Sequence, residues 1–360
     1  MKFSIITPEH DPANIPFLLE LYESILTQTY EDWEWILYLN NKCTIDHIPD
    51  CIKVHPKVKI FRQESDNKNI GFIKNKAFNL GTGDVLVEVD HDDQITPDCL
   101  EELAKAYEDE TVGFAFTDAA VLHMTDEFVP FNPAYGWTYR TFNWRGKELI
   151  AMNSFPPSSQ SVGYIWYAPD HVRSWRTSHY KEIGGHNPEL SICDDHELMI
   201  RTYLTTRMYH IPKVCYIYRI TGDNTWLERN EAIQKKTIEL FNQHARALAE
   251  RDAELRGLLK VDIGGGLNPG WAFIEIPSTD GRGAFQDPTH VSYWNENSFL
   301  YYTDKYLADF IDNDTIRFQE FRRETYFPNE WMQNMGVLVT TAWLVANKDK
   351  DVRVPHLLKI

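Results

Sequence analysis

In the first hundred residues of this 360-residue chain, short apolar runs alternate with amphipathic stretches, and this alternation constrains the fold more than any other feature. Phe3 to Ile6 reads as a strand ended by Thr7-Pro8. Ile15, Leu18, Leu19, Tyr22, Ile25 and Leu26 then recur at helical spacing and form one apolar stripe. Trp33 to Leu39 is a second strand ending at Asn40-Asn41, and Val58 to Phe61 is a third. Ile73 to Leu80 reads as a helix closed by Gly81-Thr82-Gly83, where glycine can take the left-handed cap conformation. A valine-rich strand, Asp84 to Val89, then delivers Asp90-His91-Asp92-Asp93 at its carboxyl end, and a helix follows from Pro97 through Leu100, Leu103 and Tyr107. The expectation is an α/β fold with a Rossmann-like, mostly parallel sheet flanked by helices. Ligands of such sheets bind beyond the carboxyl ends of the strands, and Thr7 to Glu9, Asn40-Asn41 and Asp90 to Asp93 all fall there.

From Phe114 to about Trp175 the chain turns aromatic and irregular, punctuated by Pro130, Pro133, Pro156 and Pro157. These aromatics suit either a pocket wall or ordinary core packing. Asp194 to Leu204 reads as a helix, Val214 to Tyr218 as a strand, and Glu228 to Leu259 as a long charged helix. The reading divides the chain into 1–95 and 96–227 as two halves of one domain, 228–258 as a linking helix, and 259–360 as a smaller α+β appendage.

The formal net charge of -17 argues against a broad nucleic-acid footprint. Five dispersed cysteines, Cys43, Cys51, Cys99, Cys193 and Cys215, show no zinc spacing and read as free thiols of a reducing, cytoplasmic setting. Neither a signal peptide nor the ~20 apolar residues of a membrane span is visible, so no integral membrane association is expected.

Asp90, Asp92 and Asp93 crowd three carboxylates into one strand end, an arrangement that is costly without positive charge among them. A hard divalent cation, Mn²⁺ or Mg²⁺, would neutralise them and could bridge two phosphates. An acidic triplet is also a common solvated turn, but a buried valine strand leads into this one. Asp194-Asp195 opens a helix, where the dipole favours acidic residues; two adjacent carboxylates can also raise one partner's pKa.

Taken in order, Phe3-Ser4-Ile5-Ile6-Thr7-Pro8, Ser24 to Tyr30 before Trp33 to Leu37, Asn69-Ile70-Gly71 with Lys74-Asn75, Gly83-Asp84, Asp90-His91-Asp92-Asp93, Tyr180 to Asn187, Asp194 to Leu198 with Arg201, and Pro212, Tyr216, Tyr218 and Arg219 resemble the family 2 inverting glycosyltransferases of the GT-A fold. The likeness covers about residues 3–225. It implies a nucleotide-sugar donor, UDP-linked, and transfer of one sugar to an acceptor hydroxyl. Asp90 and Asp92 match the D-x-D pair, with Asp92 on the metal and Asp90 on the ribose or a metal-bound water. Asp195 matches the general base, with Asp194 as its neighbour. Thr7, Pro8, Glu9 and Asn40 match the loops that hold the nucleoside. Asn40-Asn41 replaces the usual Asp-Asp, and an amide both donates and accepts, so the base stays open. Lys74 stands where arginine is common and is expected near the diphosphate, or else as a surface lysine. His179, His186, His196 and His210 could include a further metal ligand or an acceptor contact, although a lone histidine is more often structural. The Q-x-x-R-W signature of processive synthases is absent, which implies single addition.

Leu259 to Gly266 resembles the first motif of class I methyltransferases, and Pro277 to Phe299 resembles a later segment of methyltransferase-like proteins. Only about ten residues separate them, too few for a working cofactor domain, so a truncated remnant is expected. The acceptor stays open among glycans, lipid-linked acceptors and small molecules, with modified DNA disfavoured by the charge. An inactive glycan- or nucleotide-binding module, a phage-type glycosyltransferase acting on hydroxymethylated DNA bases, and a SAM-dependent methyltransferase are the alternatives.

Overall fold

A computed structural model describes residues 1–124, 136–221, 229–255, 273–277, 298 and 318–346. The chain groups into two compact units, Met1–Arg251 and Asp252–Ile360.

The first unit is built on a mixed sheet. Its strands are β1 (Phe3–Glu9), β2 (Trp33–Leu39), β3 (Val58–Arg62), β4 (Val85–Glu88), β5 (Gln94–Ile95), β6 (Val112–His123), β7 (Thr138–Trp144), β8 (Lys147–Asn153), β9 (Arg173–Arg176) and β10 (Arg207–Ile220). Helices α1 (Ile15–Leu26), α2 (Asp50–Lys53), α3 (Ile70–Phe78), α4 (Cys99–Ala106), α5 (Ser159–Tyr164), α6 (Thr177–Glu182), α7 (Asp194–Thr205) and α8 (Asn230–Leu255) complete it. The main strand order is β3-β2-β1-β4-β9-β6-β10-β5. From the pairings, β3, β2, β1, β4, β6 and β10 run one way, while β9 and β5 run against them. This is the α/β sheet that the strand–helix alternation implies.

β1 lies between two parallel neighbours, and all its residues are buried, as are those of β2 and β4. Strands covered on both faces read as near-continuous apolar runs, which is why they were visible in the sequence. Because side chains alternate across a strand, one face of the sheet presents Phe3, Ile5, Trp35, Leu37, Val85 and Val87 to a core shared with Leu18, Leu21 and Ile25 of α1. The other presents Ile6, Ile36 and Leu86 to Phe78 of α3 and Leu198 of α7. Burying each such side chain stabilises by roughly 1.5–3 kcal/mol.

The aromatic stretch corrects one expectation. Much of 114–175 is β-sheet: β6, the β7–β8 hairpin and β9 lie there. Aromatic and β-branched residues fit a half-buried pleated surface, so their abundance signalled strands rather than irregular chain. Pro130 and Pro133 lie outside the described residues. The strand expected at Val214 to Tyr218 is the second half of β10, whose register shifts between Ile211 and Val214. Pro212 falls at that shift and has no N–H to give the ladder.

In the second unit, β11 (Phe273–Pro277), β12 (Phe318–Tyr326) and β13 (Val339–Ala346) form an antiparallel sheet in the order β11-β13-β12, with a helix α9 (Glu330–Met335) between β12 and β13. The methyltransferase-like residues Leu259 to Gly266 lie outside the described residues, as does nearly all of Pro277 to Phe299. Among the described residues no helix is long and apolar enough to cross a membrane.

Candidate active site

A cleft of about 980 Å³ opens at the carboxyl ends of β1, β2 and β4, and its lining includes Pro8, Asn40, Lys74, Asp90, Asp92, Asp194 and Asp195. Seven side chains singled out from the sequence therefore meet at one place.

The base of the cleft is held by its least exposed members. Thr7 Oγ1 donates to the Val89 carbonyl at 2.9 Å and accepts from Trp35 Nε1 at 3.0 Å, tying β1 to β2 and to the carboxyl end of β4. Glu9 Oε1 accepts from the backbone N–H groups of His10 at 2.6 Å and Asp11 at 2.8 Å, so it shapes the loop that follows β1. Thr7 and Glu9 are both fully buried, below the cleft surface. Asn40 donates to the Glu9 carbonyl through its backbone N at 2.8 Å and through Nδ2 at 3.1 Å. A carbonyl can only accept, so this contact fixes which end of the amide is nitrogen and leaves Oδ1 as an acceptor, the role an aspartate would play.

The acidic loop divides its labour. Asp90, His91 and Asp92 line the cleft. Asp93 turns inward, where Oδ2 accepts from the Tyr216 hydroxyl at 2.7 Å and Oδ1 from the Arg219 N–H at 2.6 Å. Arg219 Nε also donates to the Asp92 carbonyl at 2.7 Å, and the Asp90 N–H donates to the Tyr216 hydroxyl at 3.2 Å. β10 thereby fixes the loop's course. Burial first, and Asp90 beside it, push the Asp92 carboxyl above its ordinary value. The Asp92 carboxylate, disfavoured in this way and offering oxygen donors only together with Asp90, fits a hard divalent cation. Among the described residues, the metal-type side chains that gather within 4.8 Å of one another are Glu9, His10 and His91, a group without Asp90 or Asp92.

Lys74, Glu88, Arg173 and His171 organise the far wall, and the last three are not singled out by the sequence. Lys74 on α3 is buried and its Nζ donates to Glu88 Oε1 at 2.5 Å. Arg173 on β9, equally buried, donates to Asp195 Oδ2 at 2.8 Å and lies 3.7 Å from Glu88 Oε2. His171 Nε2 lies 3.8 Å from Asp90 Oδ2 and 4.0 Å from Glu88 Oε2, with its ring stacked on Tyr216. Burial works against the Glu88 carboxylate, but Lys74, Arg173 and His171 outweigh it and hold the group ionised. Lys74, expected at the diphosphate or at the surface, is placed in this pair and at the cleft wall together. A lone glutamate inside a valine strand was the available signal for Glu88, because a buried charge needs a partner. Arg173 and His171 gave no local signal.

Asp194 and Asp195 occupy the first turn of α7, behind Cys193 in the left-handed region at φ 56°. Burial opposes ionisation of Asp195, yet the Arg173 guanidinium, aided by Lys74, holds its carboxyl below the usual range. Asp194 is 4% exposed, and burial, with Asp195 and Glu88 adding to it against Lys74, pushes its carboxyl up to about 7. His186 is buried beside them; its Nδ1 shares a 2.7 Å hydrogen bond with the Tyr180 hydroxyl. His196 is buried as well.

Residues 4–159 match the family model described as Glycosyl transferase family 2. A glucosyl-dolichyl phosphate glucuronosyltransferase of Haloferax volcanii is 30% identical over 109 residues, 30% of this chain and 34% of that protein. A chondroitin synthase of Pasteurella multocida is 23% identical over 244 residues, 67% of this chain and 23% of the other. The uncharacterized glycosyltransferase YwdF of Bacillus subtilis is 27% identical over 62% of this chain and 77% of its own length. The chain spans about a quarter to a third of the first two of these relatives. A crystal structure of S. aureus TarS 1-349 is similar over 68% of this chain and 72% of that one, at 18% identity and a TM-score of 0.48.

Proposed function

We propose that this chain transfers one sugar, with inversion, from a nucleoside-diphosphate sugar to an acceptor hydroxyl. One observation carries the reading: a single cleft, at the strand ends where α/β sheets bind ligands, brings the Asp90–Asp92 loop and the Asp194–Asp195 helix turn together. Asp92, with Asp90, would hold a divalent cation, Mn²⁺ or Mg²⁺, which when bound stabilises the charge on the departing diphosphate. Pro8 and Asn40 face the nucleoside; the acceptor oxygen of Asn40 suits a base that offers a ring N–H, as uracil does, so a UDP-sugar is the proposed donor. Asp195, kept ionised by Arg173, takes the acceptor's proton as the new bond to the anomeric carbon forms and the bond to the diphosphate breaks. Asp194 stays largely protonated below neutrality and keeps a second negative charge away from that step. The acceptor is a glycan, a lipid-linked sugar or a small molecule. Four of the five cysteines are buried and all are free thiols, which suits a reducing cytoplasm.

Nucleoside diphosphate release across a panel of nucleotide sugars with Mn²⁺ tests this. Asp92→Ala is expected to cut turnover by about a hundredfold or more. Asp195→Asn is expected to do the same while donor binding, read as a thermal shift, persists. Full activity of Asp92→Ala in the presence of a chelator would overturn the metal assignment. Absence of turnover and of any donor-induced thermal shift across the panel would overturn the activity itself.

A further inference from the structure

We propose that Glu9, His10 and His91 form a second cation site where the loops after β1 and β4 meet, suited to a borderline transition-metal ion such as Zn²⁺ and distinct from the Asp90–Asp92 pair. The ligand atoms of the three side chains lie within 4.8 Å of one another, and the two imidazole rings meet edge to face with centroids 5.2 Å apart. Around a tetrahedral zinc with bonds of ~2.1 Å, ligand atoms stand about 3.4 Å apart. The His10 side chain is exposed, so rotation of its ring can close the remaining distance.

Two further observations favour an ion here. Glu9 is fully buried, and while Oε1 accepts from the loop's backbone N–H groups, Oε2 is buried with no hydrogen-bond partner. A buried carboxylate oxygen without a partner is costly, and a cation would satisfy it. The backbone beneath is also fixed, because the Glu9 carbonyl is held by Asn40 and the Val89 carbonyl by Thr7. Two imidazoles and one carboxylate are the donor set of zinc, whereas the oxygen-only pair of Asp90 and Asp92 selects harder ions. Three protein ligands leave a fourth position for water or a ligand group, and His10 and His91 both line the cleft. The ion would clasp the loop after β1 to the loop after β4.

Co²⁺ titration of the purified full-length chain, followed by its visible absorption and by competition with Zn²⁺, tests the assignment. With excess Mg²⁺ present to occupy the oxygen-only pair, one Co²⁺ per chain, displaced by Zn²⁺, is expected. His10→Ala and His91→Ala should each weaken binding by about tenfold or more, and Asp92→Ala should leave it unchanged. Glu9→Gln keeps an oxygen for the His10 and Asp11 N–H groups but removes the charge, and should also weaken binding. Thermal melts confirm that each variant is folded; His10 is exposed, so its variant reads out even if Glu9→Gln does not fold. No Co²⁺ or Zn²⁺ binding by the wild type, wild-type affinity in both histidine variants, or loss of binding in Asp92→Ala alone would overturn the proposal. Donor turnover is measured separately, so this site can fail while the transferase reading stands.

Discussion

Asp194 and Asp195 are chain neighbours on one helical turn, yet their surroundings push their carboxyls in opposite directions. Asp194 sits at about 7 in the fold against an ordinary value of 3.8, so the folded state holds its proton more tightly than the unfolded chain does. Its contribution to stability is therefore complete below pH 3.8 and is lost as pH rises through about 7. Asp194→Asn mimics the protonated form. Across that window the melting temperature of the wild type is expected to fall relative to the variant's, and parallel pH profiles for the two would refute the assignment. Asp195 acts in the opposite sense, adding stability above its ordinary range because Arg173 favours its ionised form. Asp90, Asp92, Asp194 and Asp195 were legible because each stands at the end of a regular element, where a cluster of charge has a stated position. Glu88, Arg173 and His171 were harder to see. Arg173 reaches Asp195 only because β9 inserts between β4 and β6, a pairing with no sign in local spacing.

α3 and α7 are held in register by a backbone contact that leaves no room for a side chain. A Cβ on Gly71 would stand 2.0 Å from the Asn187 carbonyl oxygen, and the Gly71 N–H donates to the Leu190 carbonyl at 3.0 Å. Asn75, one turn further on, donates to the His186 carbonyl at 2.7 Å. Through these contacts the loop that leads into Asp194 is seated on the helix that carries Lys74. Gly71→Ala is expected to destabilise by roughly 1–3 kcal/mol, read from the denaturant midpoint, and to lower turnover more than donor binding. An unchanged midpoint would show that the loop moves aside freely. Strands buried on both faces and helices with one apolar stripe were readable from periodicity alone. The β7–β8 hairpin and β9 were not, because strands dense in aromatic and charged residues lose the alternation on which such a reading depends.

At the scale of the whole chain, the sequence placed the end of the catalytic domain near residue 227, whereas the compact unit runs to Arg251. The reason lies in α8. Ile233, Leu240 and Leu248 are buried in the same core as Phe78 and Leu198, and Arg251 donates to the Tyr203 carbonyl at 3.2 Å. A chain ending at Leu255 should unfold in one cooperative transition and retain nucleoside diphosphate release. One ending at Thr221 loses two buried leucines, each worth about 2–5 kcal/mol, and should melt markedly lower. Equal melting curves for the two truncations would show that α8 is dispensable. The hydrogen bonds of Thr7 set a limit on reshaping the cleft for other donors. Substitutions at Glu64 or Asp66, exposed residues of its lining, alter only the wall, so selection for new nucleotide specificity can search those positions freely. A change at Thr7 would strand the Trp35 indole N–H and release β1 from β2 and from the end of β4 at once, so that position should stay fixed in any library.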